Sequence, residues 1–181
     1  MRLRKISLRV LFALSFAFGL MSRWAIADEP VREPRQGFFL GFDVGGGGIT
    51  LNGLDRGAFL GGIKIGGGVS EKVLLMGETS GAATSIDGDT VGISGIYFAT
   101  QWFFADNFYV RPGVGFAVLR TASGHISAES DAGFSAAAAV GYEFRLTKRF
   151  AMSPEAKGSY ARIQGGNVGA YGAALDLRWY L

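Results

Sequence analysis

The chain has 181 residues and carries 18 basic and 15 acidic side chains, 29 glycines, only 4 prolines and no cysteine. This length suits one ordinary domain, and the lack of cysteine excludes a disulfide scaffold, a thiolate metal site and a lipid-modified N-terminal cysteine. Many glycines beside few prolines argue against a disordered Pro/Gly tract, and the abundant aromatic residues are typical of strands.

The first predicted element is a signal peptide at 1–27. A basic start, "MRLRKISLR", precedes the short apolar core "VLFALSFAFGLM", and "AIA" at 25–27 supplies the small-x-small pattern of a cleavage site. An uncleaved anchor is disfavoured, because this core is well short of the roughly 20 apolar residues that a spanning helix needs. We therefore expect export by a Sec-type route and cleavage after Ala27.

Cleavage changes the charge balance and, with it, the expected partners. Five of the 18 basic residues and no acidic residue lie in 1–27, so the remaining chain has 13 basic against 15 acidic side chains. A nucleic-acid-binding role would need a basic surface. The mature chain is slightly acidic, so we expect no nucleic-acid partner.

The next segment, 28–36, is polar, contains two prolines and is predicted to be a short periplasmic tether. From Gly37 onward, large apolar residues alternate with small or polar ones at period two, which indicates strands with two different faces. The fourth of these segments is apolar on both faces, so its register stays open. The eight predicted strands are 37–45, 58–69, 73–83, 91–104, 108–118, 134–144, 150–160 and 171–181.

The connections between these strands alternate in length along the chain. Short turns at one end and longer loops at the other are typical of an antiparallel up-and-down barrel. The sequence therefore predicts an all-β fold, an eight-stranded antiparallel transmembrane β-barrel over 37–181. The short connections are 70–72, 105–107 and 145–149, and the longer ones lie around 51–56, 84–90 and 120–131.

Nine charged side chains lie inside the predicted strands, each on the glycine- and serine-rich face opposite the bulky one. Facing lipid, each Arg or Lys near the midplane would cost roughly 2–4 kcal/mol, whereas inside a barrel they can pair, as buried charges require. A soluble lipocalin-like carrier would have to pack the Phe, Leu, Val and Trp side chains inside, and an eight-stranded lumen is too narrow for them. We therefore predict a structural charge layer in the lumen, formed by Asp43, Lys64, Glu78, Arg111, Glu143, Glu155, Lys157, Asp176 and Arg178.

Aromatic residues gather at the strand ends beside the short turns. Such residues would give one rim of a barrel a belt at the level of the lipid headgroups. The predicted belt comprises Phe38, Phe39, Trp102, Phe104, Phe108, Tyr109, Tyr142, Phe144, Phe150, Trp179 and Tyr180.

The run "VGGGG" at 44–48 could also begin a phosphate-binding loop. Such a loop needs a helix after its glycines, but the following "ITLNGLDRG" has a turn signal and no helical period. We interpret the glycines as small residues in tightly curved, crowded strands.

The segments "GFFLGFDVGGG", "FADNFYVRPGVGF", "AAAVGYEFRLTKRF" and the terminal "LDLRWYL" resemble the eight-stranded outer-membrane β-barrel domains of Gram-negative bacteria, the OmpA/OmpX-like group. The resemblance covers about 37–181 and implies an integral outer-membrane location, without a peptidoglycan-binding domain after the barrel. It also implies that the barrel assembly machinery reads the final strand, although this chain ends in Leu where family members commonly end in Phe. The residues of that assembly signal would be Leu175, Leu177, Trp179 and Leu181.

The leading functional hypothesis is a non-enzymatic barrel that contacts outer-membrane lipid and lipopolysaccharide. Its loops would serve envelope integrity, adhesion or interaction with a host or environment, because exposed loops commonly host binding residues. An extracellular ligand would therefore bind at 51–56, 84–90 or 120–131. A narrow gated pore is the alternative, disfavoured because an eight-stranded lumen filled by salt bridges leaves no water channel. One histidine, no cysteine and acids with nearby bases give no reason to expect a metal or a cofactor.

The sequence "HIS" at 125–127 carries an enzymatic hypothesis. The spacing of His125 and Ser127 resembles the His-x-Ser of outer-membrane lipid A deacylases, which are barrels of similar size. A serine nucleophile needs a base, and that base needs an acid that orients it. Glu129 continues the same parity, but three residues along one strand do not easily form that relay, and Asp131 and Glu143 lie at other spacings. We interpret His125 as a polar loop residue.

Overall fold

Period-two alternation produces strands through almost all of the chain that the computed structural model describes, which is residues 35–51, 53–86, 89–123 and 126–181. The predicted signal peptide and most of the predicted tether lie outside these residues. Among the described residues, no helix has the length and apolar character needed to cross a membrane. The strands are β1 Gly37–Leu51, β2 Leu54–Ser70, β3 Val73–Ile86, β4 Asp89–Ala105, β5 Phe108–Ser123, β6 Ile126–Glu129, β7 Gly133–Tyr142, β8 Phe144–Arg145, β9 Phe150–Ile163 and β10 Gly166–Tyr180.

The strands form one closed antiparallel wall. Each strand pairs with its neighbours in chain order, and β10 pairs with both β9 and β1, which closes the sheet on itself. The short strands β6 and β8 occupy the same wall position as β7, because β6 pairs with β5 and β8 with β9. The wall therefore has eight positions, and the predicted eight-stranded up-and-down antiparallel barrel is confirmed.

A proline explains the break between β7 and β8. The ladder between β7 and β9 ends at Gly141 and Glu155 and resumes at Phe144 and Met152. Pro154 lies in this gap and has no N–H to donate. On the opposite side of this strand the pairing with β5 continues, because the N–H of Glu143 donates to the carbonyl of Asn107 at 2.9 Å.

The two ends of the barrel hold different connections, and we call them the terminal rim and the distal rim. The terminal rim holds the connections 71–72, 106–107 and 146–149 together with both ends of the wall, Gly37 and Leu181. The distal rim holds the four opposite connections. Pairing leaves short connections at both rims except between β5 and β7, where the chain makes a longer excursion that contains β6. The prediction of longer distal loops is therefore wrong for 51–56 and 84–90, whereas the connection at 120–131 is long but folded as a hairpin.

Strand pairing continues into each segment that was predicted to be a loop. Leu51 pairs with Leu54, Ile86 pairs with Asp89, and Ser123 pairs with Ile126. The physical reason is that polar Thr, Ser and Asp residues lose the apolar alternation of the wall without losing their backbone hydrogen bonds. The segments 51–56, 84–90 and 120–131 are therefore mostly hairpin.

The glycine run of β1 lies where the wall closes against β10. A Cβ atom added to Gly45 would lie 2.1 Å from the carbonyl oxygen of Ala173, and one added to Gly47 would lie 1.9 Å from that of Tyr171. No side chain fits at such distances. The glycines therefore allow the two strands to approach closely, in agreement with their interpretation from the sequence as small residues in crowded strands.

The register that the sequence left open is that of β4. Tyr97, Gln101 and Phe103 are buried in the lumen, whereas Phe98 and Trp102 are exposed on the outer face.

Two apolar layers fill the lumen above and below its charged residues. An aromatic layer lies towards the terminal rim, and an aliphatic layer lies towards the distal rim. The aromatic layer contains Phe39, Leu74, Met76, Ala99, Phe103, Tyr109, Ala151 and Tyr180. The aliphatic layer contains Ile49, Leu60, Ala82, Ile93, Ala117, Ala161, Ile163, Val168 and Ala170.

Candidate functional site

The wall is apolar outside and ionic inside, and three consecutive residues of β2 show this most directly. Ile63 and Ile65 are 59% and 50% exposed on the outer face, whereas Lys64 between them is 0% exposed. A strand turns successive side chains to opposite faces. The same alternation in the other strands separates the large apolar side chains from the charges.

All nine charged residues predicted from the sequence face the lumen, and the structure brings them together. Eight of them are buried, and the side chain of Lys157 is 9% exposed. They belong to β1, β2, β3, β5, β9 and β10 and to the break at Glu143, so the closed wall brings together groups far apart in sequence.

Lys64 is the centre of this network. Its Nζ lies 2.9 Å from Asp43 Oδ2, 2.9 Å from Asp176 Oδ1 and 3.3 Å from Glu155 Oε1. The second oxygen of Asp43 accepts a hydrogen bond from Lys157 Nζ at 2.8 Å. One ammonium group of β2 therefore links β1, β9 and β10 to β2.

Arg111 forms a second node. Its two terminal nitrogens lie 2.8 Å and 2.9 Å from the two oxygens of Glu155, a paired geometry that gives the strongest Arg–carboxylate contacts. Its Nε lies 3.0 Å from Glu78 Oε2. The hydroxyl of Tyr109 also donates to Glu155, at 2.8 Å.

A third node extends the network towards the terminal rim. Arg178 donates to Asp176 Oδ2 at 2.7 Å and contacts Glu143 Oε2 at 3.5 Å. Tyr180 donates its hydroxyl proton to the same oxygen of Glu143 at 2.9 Å. The side-chain oxygen of Gln101 accepts from both Arg178, at 3.1 Å, and Arg111, at 3.4 Å, and so links two nodes.

Two further arginines belong to the network and were not among the predicted residues. Arg145 Nε lies 3.2 Å from Glu143 Oε1, with its guanidinium over the Tyr180 ring at 4.2 Å. Arg35 Nε lies 3.0 Å from the same oxygen. The parity of Glu143 extends to Arg145 and could have found it, but Arg35 precedes the first strand, where no periodic signal exists.

The space between the charges and the aliphatic layer is small. A cavity of about 20 Å³ lies there, with Glu78, Ser80, Tyr97 and Lys157 in its lining. That is roughly the room that one water molecule needs. Above it, Ile49, Leu60 and the other aliphatic residues fill the lumen.

The chemistry of the described network is ion pairing. Each of its five carboxylates contacts at least one cation at 3.5 Å or less. In the part of the chain that the structure describes, no group of three or more His, Cys, Asp or Glu residues is placed to hold a metal ion. His125 and the side chain of Ser127 lie outside the described residues, so the "HIS" hypothesis stays a prediction.

The outer face carries aromatic residues at two levels. Near the terminal rim, Phe108 packs edge-on against Tyr142 at 4.7 Å, and Phe150 packs against Trp179 at 4.6 Å. The second level contains Phe59, Phe98, Phe116, Phe134, Tyr160 and Tyr171, all exposed on the outer face.

Three residues of the predicted belt face the lumen instead. Phe39, Tyr109 and Tyr180 have the parity of the charged residues and are buried in the aromatic layer. In β10, Leu175, Leu177 and Trp179 share the outer face, and Leu181 follows at the end of the wall. Their use as an assembly signal stays a prediction.

No protein-family model matches the chain, and no protein of curated function matches it significantly in sequence. Solved structures do match. Neisserial surface protein A is 11% identical with a TM-score of 0.69, and the alignment covers 82% of this chain and 100% of that protein. Ail, the attachment invasion locus protein of Yersinia pestis, crystallised with the heparin analogue sucrose octasulfate, is 12% identical with a TM-score of 0.55, covering 78% and 99%.

These likenesses define the class of the molecule by its fold. The chain is a closed eight-stranded β-barrel of the kind found in small outer-membrane proteins, as its resemblance to that family predicted.

Proposed function

We propose that this chain is an integral outer-membrane protein without enzymatic activity, exported and cleaved after Ala27. The observation that carries the proposal is the inverted wall, in which Lys64 is buried between two exposed isoleucines. Water would favour the opposite arrangement, because exposed apolar surface costs roughly 25 cal/mol per Å². Lipid favours the arrangement seen.

The two aromatic levels support the same environment. On β5 they are marked by Phe108 and Phe116, eight residues apart, or about 26 Å along the strand. A tilt of about 40° reduces this to a height of roughly 20 Å. Outer-membrane barrels have an apolar band of about 25 Å between two aromatic girdles. Lipid and lipopolysaccharide would then contact this band.

The distal rim would face the outside of the cell, where its hairpins would carry any recognition. The β5–β6 hairpin extends beyond Ala117, the last β5 residue in the aliphatic layer, and carries the exposed Arg120–Glu129 ion pair. The names of the structural neighbours, a surface protein and an attachment protein, favour adhesion or contact with a host or environment over a purely structural role. The final strand would supply the signal for the assembly machinery.

Site-directed labelling would test the lipid-facing wall. Because the chain has no cysteine, Ile63→Cys, Val114→Cys and Arg120→Cys each provide one attachment point for a nitroxide. In folded protein in liposomes, we expect labels at 63 and 114 to be accessible to oxygen and protected from a water-soluble nickel reagent. The label at 120 should show the reverse. Nickel access at 63 and 114 equal to that at 120 would exclude the proposed orientation.

The enzymatic alternative has its own test. If the chain were a lipid A deacylase, purified protein in detergent would release acyl chains from lipid A, and Ser127→Ala would abolish the release. We expect no release from either protein. Release by the unsubstituted chain alone would replace a non-enzymatic role with a hydrolytic one.

A further inference from the structure

Arg35 reaches across the terminal rim. Its backbone lies against β2, because a Cβ atom added to Gly68 would lie 1.5 Å from the Arg35 carbonyl oxygen. Its side chain contacts Glu143, which lies on the β7 wall position, four positions from β2 in the eight-position wall. The side chain therefore spans the mouth of the lumen, and it is only 14% exposed.

The guanidinium of Arg35 donates to four acceptors. Nε donates to Glu143 Oε1 at 3.0 Å, and Nη1 donates to the carbonyl of Glu71 at 3.2 Å. Nη2 donates to the carbonyl of Asp106 at 3.0 Å and to Asn107 Oδ1 at 2.6 Å. Four of the five N–H donors of the side chain are thus used.

An aromatic ring completes the surroundings of this group. The Cζ of Arg35 lies 3.7 Å from the centroid of the Phe103 ring, which belongs to the aromatic layer of the lumen. A planar cation that stacks on a ring and donates in its own plane is the geometry of arginine, and an ammonium group reproduces neither feature. The surroundings select a guanidinium by shape as well as by charge.

We propose that the terminal rim carries a guanidinium-binding site and that Arg35 occupies it as an intramolecular ligand. The bound Arg35 side chain closes this end of the lumen to water. The site joins three parts of the rim, namely the β2–β3 turn, the β4–β5 turn and the break at Glu143. It goes beyond the proposed function because it does not depend on the membrane or on any external ligand.

The fold should survive loss of this contact. Without Arg35, Glu143 still contacts Arg178, Arg145 and Tyr180, so its charge stays compensated. What changes is access, because the face of Phe103 and the groups behind it lose their cover. Arg35→Ala should therefore give a folded barrel whose lumen is accessible to water at the terminal rim.

Thiol labelling measures that opening directly. Ala151 is completely buried in the aromatic layer, so Ala151→Cys reports on water that enters through the terminal rim. In detergent-folded protein, we expect a small water-soluble thiol reagent to label this cysteine at least tenfold faster after Arg35→Ala. The matched control is Arg149→Ala, an exposed arginine of the same rim, which should leave the rate unchanged.

Chemical rescue separates a binding site from a merely structural contact. Millimolar ethylguanidinium should return the labelling rate of Arg35→Ala towards that of the unsubstituted residue, whereas ethylammonium at the same concentration should not. Arg35→Lys should label at an intermediate rate, since it retains the charge and loses the planar fork.

Three outcomes would overturn the proposal. They are an unchanged rate in Arg35→Ala, equal rescue by both cations, and rapid labelling while Arg35 is present. Heat-modifiable gel migration identifies the folded fraction of each variant, and Arg35→Lys carries the comparison if Arg35→Ala does not fold. None of these results bears on whether lipid covers the outer wall.

Discussion

Most of the buried charges in this lumen have more than one partner, and Lys64 contacts three carboxylates. Moving an ammonium group out of water costs several kcal/mol, and only close opposite charges with good geometry offset that cost. Three carboxylates within 3.3 Å of one nitrogen meet that condition. Each of these acids has one further cation, so the loss of Lys64 would remove one of two cationic partners from all three.

Replacing Lys64 with methionine should therefore cost far more than the loss of one exposed charge. Lys64→Met leaves Asp43, Glu155 and Asp176 with fewer cations, and we expect the free energy of unfolding to fall by about 3–5 kcal/mol. The control is Lys72→Met, at an exposed turn of the terminal rim, with an expected change below about 0.5 kcal/mol. Urea unfolding of both variants in lipid vesicles measures the difference. Equal changes would show that the network does not depend on Lys64.

At the scale of residues, parity predicted the lumen well wherever a strand was recognised. All nine charged residues that shared a face with glycine and serine lie inside. The same parity, continued from Asp43 through the glycines, leads to Ile49 of the aliphatic layer. Ile49 was not predicted, because the apolar alternation fades there. Arg35 had no such signal, since its position depends on acceptors from three distant turns.

Among the elements, the seam between β1 and β10 is the most constrained by backbone geometry. Gly46 and Gly47 are adjacent in sequence, but the room available for a side chain differs between them. A Cβ atom on Gly47 would lie 1.9 Å from a backbone oxygen, whereas one on Gly46 finds its nearest neighbour at 3.9 Å.

This pair gives a prediction with a built-in control. Gly47→Ala should prevent the seam from closing and shift most of the protein to the unfolded band in heat-modifiable gel migration. Gly46→Ala should fold as the unsubstituted chain does. Similar folding of both variants would show that the seam has room to relax.

The β5–β6 hairpin is the element that the barrel needs least. Leu119 and Ser130 already pair at its base, with the Ser130 N–H donating to the Leu119 carbonyl at 2.9 Å. Replacing 120–129 by an Asn-Gly turn should therefore keep the wall, since two-residue turns of this type close hairpins. The Arg120–Glu129 pair is exposed, and such pairs contribute about 0–1 kcal/mol.

We expect this shortened chain to unfold within about 1 kcal/mol of the full chain, measured by urea unfolding in the same vesicles. A shortened chain that fails to fold would instead make the hairpin a part of the barrel core.

Elements were predicted more accurately in their centres than at their ends. The strand centres were found because large residues alternate with small ones, as in Phe38 to Gly45. The distal ends were assigned to loops because threonine, serine and aspartate there resemble turn sequences. Backbone pairing does not require an apolar partner, so the strands continue where the pattern stops.

For the whole molecule, the filled lumen predicts an electrically silent barrel. Within the part of the chain that the structure describes, the aliphatic layer, the ion pairs and the aromatic layer leave a cavity of about 20 Å³ in the lumen. In planar bilayers we expect no steady open levels from the purified, folded chain. Steady openings would favour the narrow gated pore over the plugged barrel.

The same measurement on Arg35→Ala separates the two barriers of the lumen. The aliphatic layer near the distal rim should still block ions when the terminal rim is open. We therefore expect faster thiol labelling at position 151 without conductance. Conductance in this variant would mean that the aliphatic layer is no barrier.

In β2, Ile63 and Ile65 lie on the outer face and Lys64 lies on the inner face. This strict alternation limits the sequence changes that the chain can accept in evolution. Inserting one codon inside a wall strand would turn every later side chain of that strand to the wrong face. Insertions of any length are tolerable only at the rims. Substitutions that keep the polarity of each face are tolerable wherever a side chain fits, which explains how a barrel 11% identical can share this backbone.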